Sequence, residues 1–178
     1  DVIARLEAVD LLVSSAQRHG EESDVRRWLD EGFGLMASMG RPTQYRVLPA
    51  VYLFTEAVLD WWRDAPDARE RRVREKRVRS QLRALATCAS IFPIGVPRLA
   101  WLRGRQAWIS GRQERALRQW RLCHEQALPL EMAYDSLLAS MALARFLPDG
   151  EEREAMRAVA KELGEEMGVP GSRYVPEA

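Results

Sequence analysis

The residues that could do chemistry are few in this chain, and their spacing argues against most of it. His19 and His124 are the only histidines, and neither has a His or Cys at helical metal-ligand spacing with a third ligand. Cys88 and Cys123 are the only cysteines, and each sits inside an apolar helical pattern, where a thiol behaves as a small hydrophobe. Cys123 adjoins His124, but neighbouring helix positions point about 100° apart and make no nucleophile–base pair. No Gly-x4-Gly-Lys-Ser/Thr loop and no Gly-x-Ser-x-Gly elbow occurs. Gly32-Phe33-Gly34 lies in a helical stripe with no strand before it, which does not suit a dinucleotide site. The doublets Glu21-Glu22, Glu151-Glu152 and Glu165-Glu166 fall at helix ends, where solvation and the helix dipole account for them. No catalytic residue, no metal and no cofactor is expected.

Two groups could bind. Arg69, Arg71, Arg72, Arg74, Lys76, Arg77 and Arg79 form a cationic run interrupted by Glu70 and Glu75. Such a run could hold a nucleic-acid backbone or an anionic partner. It could equally be a solvated helix face partly neutralised by Asp67, Glu70 and Glu75, and the formal net charge of +1 favours that reading. The second group is Trp101, Arg105, Trp108 and Arg112, with the tryptophans seven apart and the arginines along the same edge. Aromatic–Arg surfaces carry much protein–protein affinity, so this face could line a groove. It could also be packed in the core.

The elements that must position these residues are helices. Ala, Leu, Arg and Glu dominate, β-branched residues are scarce, and Asn is absent. The abundance of Arg over Lys and the lack of Asn are what a GC-rich coding sequence gives. With 47% apolar and 30% charged residues in balance, 178 residues can bury a real core. No apolar run is long enough to span a membrane. The chain begins at Asp1 with a helical pattern already running, as in a piece cut from a longer cytoplasmic protein. Apolar periodicity and Gly or Pro punctuation predict eight helices. They run from about Val2 to His19, from Ser23 or Asp24 to Met39, and from Thr43 to Asp64. A fourth ends at Phe92-Pro93, its charged first turns being either helix projecting into solvent or a loop as far as Val78. The others run from about Pro97 to Gly111, Arg112 to Leu128, Leu130 to Leu147 and Glu151 to Met167. Close packing is the expected reason for Gly32 and Gly34 within the second helix. Short turns between them mean antiparallel pairs.

An internal echo bears on how the pairs assemble. Gly111-Arg-Gln-Glu-Arg-Ala116-Leu117 matches Gly150-Glu-Glu-Arg-Glu-Ala155-Met156 at an offset of 39, and an aromatic–aliphatic pair precedes each (Trp108-Ile109 and Phe146-Leu147). The pattern resembles a tetratricopeptide repeat. Gly104, Gly111, Ala116, Trp120 and Cys123 occupy the family's small, turn-glycine, alanine, aromatic and second small positions, with Pro129 near its closing proline. Arg103 departs from the family's large apolar residue, and the repeat spacing is longer than the usual one. The match covers residues 97–167. The stretches Ser90-Ile-Phe-Pro93, Pro97-Arg98-Leu99 and Leu128-Pro-Leu-Glu-Met-Ala-Tyr134 are further similar to the helical repeat tails of bacterial signalling ATPases, adenylate cyclases, kinases and LuxR-type regulators.

The resemblance implies an all-α, right-handed tetratricopeptide-like solenoid of about eight helices over residues 1–168, with an irregular tail over 169–178. It implies a bacterial signalling context and a domain that binds a protein partner or restrains an attached nucleotide-dependent module, without catalysis of its own. The alternatives are a helical regulator with a closed apolar cavity for a small ligand near Trp61 and Trp101, and a nucleic-acid binder using the run from Arg69 to Arg79.

Overall fold

The computed structural model describes residues 2–40 and 45–168. Among them are eight α-helices and one 3-10 turn, and no strand: α1 Val2–His19, α2 Glu22–Met39, α3 Val47–Arg63, α4 Ala68–Ile91, α5 Gly95–Ile109, α6 Gln113–Ala127, the 3-10 turn Leu128–Leu130, α7 Ala133–Phe146 and α8 Glu151–Glu166. The protein is all-α. The third helix was expected to begin at Thr43, and that start, like the tail over 169–178, lies outside the described residues. The chain divides into two compact units, Asp1–Gly95 and Val96–Ala178, where the sequence suggested one domain over 1–168.

In the first unit α1 and α2 form one hairpin, and α3 and α4 another. Leu6, Val9, Val13 and Ala16 turn one face of α1 inward at helical spacing. Gly20, with φ of +71°, turns the chain into α2. The second helix starts at Glu22 rather than at a Ser23 or Asp24 cap, and Glu21 at its N-cap makes no side-chain capping bond. The central helix is α3, which is buried nearly all round and packs on α1, α2 and α4. Gly32 of α2 lies against the Phe54 ring of α3, where an added Cβ would come within 2.3 Å of a ring carbon. Gly34 has open space instead, so close packing accounts for only one of the two glycines.

The charged start of α4 is helix from Ala68 onward, and it packs inward rather than projecting into solvent. Asp67 adopts an extended backbone, and its carboxylate accepts a hydrogen bond from the Glu70 amide at 2.8 Å. From there Val78, Leu82, Leu85 and Cys88 bury one stripe. Phe92 leaves the helix in extended backbone and packs edge-on against Tyr45.

In the second unit α6 packs on α7, and α7 on α8. Every residue of α7 from Asp135 to Leu143 is buried, so it is the central element here. The core is aromatic. Trp120 is fully buried and contacts Trp101, Trp108 and Phe146. Gly104 makes room for it, since a Cβ there would lie 2.3 Å from the indole nitrogen. Burying one such indole contributes at most about 4–6 kcal/mol. Gly111, with φ of +73°, makes the turn into α6. The expected echo at α8 is weaker: Ala155 is exposed, whereas Ala116 is fully buried, and Met156, Val159 and Leu163 are half-buried.

Candidate functional site

The cationic run is not one patch. Helix α4 carries eight cationic side chains against two carboxylates, and the fold sorts them into two sets. The first set is used internally. Arg74 is 1% exposed: its Nη1 donates to the Trp61 carbonyl at 2.7 Å, its Nη2 to Glu22 at 3.0 Å and its Nε to Glu70 at 3.3 Å, while the guanidinium lies 4.4 Å above the Trp61 ring. Arg71 covers Trp62, whose indole N–H donates to the Arg71 carbonyl at 3.1 Å. Arg77 pairs with Asp30 of α2 at 2.6 Å and lies over the Phe33 ring. Arg79, by contrast, is exposed and pairs along the helix surface with Glu75. The expected anion patch is therefore corrected: Arg71, Arg74 and Arg77 hold α4 to α2 and α3, and Arg74 is not a surface residue.

The second set remains. Arg69, Arg72, Lys76 and Arg83 are exposed, and among the described residues none of them has an ion pair. Their spacings of three, four and seven put them on one helix face. Beside this face a groove of about 450 Å³ opens between α2 and α4. Phe33, Met36 and Ala37 of α2, at i, i+3 and i+4, and Gly40 at its C-cap line one wall. Lys76, Arg77, Ser80, Gln81 and Ala84 line the other. Gln81 is 4% exposed, and its carbonyl Oε1 has no hydrogen-bond donor among the described residues.

A smaller cavity of about 180 Å³ borders Trp61, Ala16, Val25, Glu22, Asp64 and Arg74. It lies where a small-ligand site was expected. Its walls are charged rather than wholly apolar, its volume is below that of usual ligand pockets, and Trp101 belongs to the other unit.

The tryptophan–arginine quartet is also corrected. Trp101 and Arg105 are each 2% exposed and belong to the core. Trp108 is half-buried, its ring 4.0 Å from Phe146 and 5.6 Å from Trp120. Only Arg112 is exposed; it stands at the N-cap position of α6 without a side-chain capping bond and reaches Ser110 at 3.3 Å. The four do not form one open surface.

One polar cluster in the second unit was not visible as chemistry in the sequence. His124 Nδ1 lies 2.9 Å from Ser136 Oγ and 3.3 Å from Ser140 Oγ. Burial holds the imidazole below its ordinary pKa, against a smaller opposing effect of Glu125. The Cys123 thiol donates to the Asp135 carbonyl at 3.6 Å, and burial and the Asp135 charge push its pKa up. Burial also raises Asp135, partly offset by Arg98 at 3.7 Å. Ser136, Ser140 and Cys123 are all closed off from solvent; the two serines pair with His124 and the thiol with the Asp135 carbonyl, while Asp135 Oδ1 is buried with no hydrogen-bond partner among the described residues. Among the described residues no group of three or more His, Cys, Asp or Glu could hold a metal ion. No helix among them is long and apolar enough to cross a membrane.

No protein family, no curated protein and no solved structure matches this chain.

Proposed function

We propose that this chain is a helical interaction module that seats a segment of a protein partner, or of a module joined to it, in the groove between α2 and α4. The observation that carries the reading is the groove itself: an apolar wall on α2 facing a polar and cationic wall on α4. The mechanism is burial of apolar surface with a few directed polar contacts, and no bond is made or broken.

A tetratricopeptide-like repeat is the proposed architecture. It is supported by the environments of Gly104, Ala116, Trp120 and Cys123, which are small or aromatic residues meeting inside one hairpin stack. By the same resemblance, the proposed setting is a bacterial signalling protein in which this domain restrains a nucleotide-dependent or DNA-binding part. A reducing cytoplasm suits the two free, buried cysteines. Nucleic acid is the less favoured partner, because Arg71, Arg74 and Arg77 are tied to α2 and α3 and the facing groove wall on α2 is apolar.

A photo-crosslinking amino acid at exposed Ser80, expressed in the native host, tests this. The expected product is one adduct mapping to a single short segment, absent when the crosslinker is moved to exposed Glu162 of α8. Equal adducts from both positions, or none from Ser80, overturn the proposal.

A further inference from the structure

We infer that the segment seated in this groove is an acidic amphipathic helix. The inference rests on the groove reading and adds the chemistry of the occupant. Three observations converge on it.

The first is charge. Once the internal pairs of α4 are set aside, Arg69, Arg72, Lys76 and Arg83 remain in one exposed row. The row spans about 21 Å at 1.5 Å per residue, close to four helical turns. Like charges aligned along one helix repel one another, and a complementary row of carboxylates on a partner relieves that repulsion.

The second is shape. One groove wall carries Phe33, Met36 and Ala37 at i, i+3 and i+4 on α2, and the other Arg77, Ser80, Gln81 and Ala84 at i, i+3, i+4 and i+7 on α4. Exposed Val73 lies one turn before Arg77 on the same face of α4. Two parallel helical ridges flanking a trough about 12 Å long accept a third helix through two or three apolar side chains, as in helix-in-groove recognition.

The third is position. The cationic row runs along one side of the trough only. Opposite it stand Phe33, Met36 and Ala37, without an unpaired cation among them. An occupant therefore needs an apolar face and one acidic flank. A nucleic-acid backbone would use the row but leave this apolar wall uncovered, which disfavours it here.

The test uses synthetic peptides of about four helical turns as probes. One has Leu at i, i+3, i+4 and i+7 with Glu along one flank; a second has Lys in place of Glu; a third is a scramble of the first. A short DNA duplex is run beside them, with binding read by fluorescence anisotropy. The acidic peptide is expected to bind at least about tenfold more tightly than the Lys peptide, and to weaken as salt is raised. Arg72→Glu with Lys76→Glu, both exposed, should reverse the preference, and Ser80→Trp should abolish binding of both helical peptides. Circular dichroism confirms that the variants remain folded. Equal binding of the Glu and Lys peptides, both lost in Ser80→Trp, overturns the acidic inference while leaving the groove reading standing. Acidic-peptide binding untouched by Ser80→Trp overturns both. Tighter binding of the duplex, lost in the charge reversal, overturns the inference in favour of nucleic acid.

Discussion

Gly32 and Gly34 are two residues apart on α2 and meet opposite surroundings. At Gly32 an added methyl strikes the Phe54 ring, and at Gly34 it meets nothing within 4 Å. Both have helical backbone, so alanine gains about 0.5–1 kcal/mol of conformational free energy at either site. At Gly34 that gain stands alone, and Gly34→Ala should raise the melting temperature. At Gly32 displacement of a fully buried phenylalanine outweighs it, and Gly32→Ala should lower the melting temperature by the equivalent of about 1–3 kcal/mol. Thermal melts of the two variants check the packing of α2 on α3; equal shifts for both would mean that the Phe54 contact is wrong. The same scale shows why the sequence left Trp101 and Arg105 open between a groove and the core. A seven-residue spacing fixes that side chains share a face, but not whether the face turns inward. The clue was the small residue Gly104 beside them, which invites the Trp120 indole from the next helix.

At the scale of the element, α4 carries the account. The sequence left its first turns open between helix and a loop as far as Val78; the structure starts the helix at Ala68 with Asp67 as the cap, an acceptor followed three residues later by a glutamate. Its inward packing was not readable, because a run of arginines looks solvated and local sequence does not say that Arg74 meets the Trp61 carbonyl, Glu22 and Glu70 together. Composition alone likewise could not separate paired from unpaired cations, since Asp30 and Glu22 lie far away in the chain. Arg74→Met keeps the aliphatic bulk but removes three directed hydrogen bonds and the stacking on Trp61. It should destabilise the protein by about 2–4 kcal/mol in denaturant titration. Arg74→Lys should recover little, because an ammonium cannot reproduce the planar fork. Full recovery by lysine would show that charge alone, and not geometry, holds the start of α4.

For the whole molecule, helical periodicity and Gly–Pro punctuation were enough to read an all-α chain, and most helix ends fall within a few residues of their expected places. Apolar stripes repeat locally, so they are legible from one sequence. The groove is not local: it arises where α2 and α4, about 40 residues apart in the chain, leave one side of each uncovered. The central claim is that this uncovered side holds a partner segment, and isothermal titration tests it most directly. The segment captured by crosslinking at Ser80, made as a peptide, is titrated into the wild-type chain and into Ala37→Glu, which changes an exposed position on the apolar wall. The account predicts one-to-one binding that Ala37→Glu weakens at least about tenfold, a loss of roughly 1.4 kcal/mol, at an unchanged melting temperature. The same affinity in both proteins would contradict it.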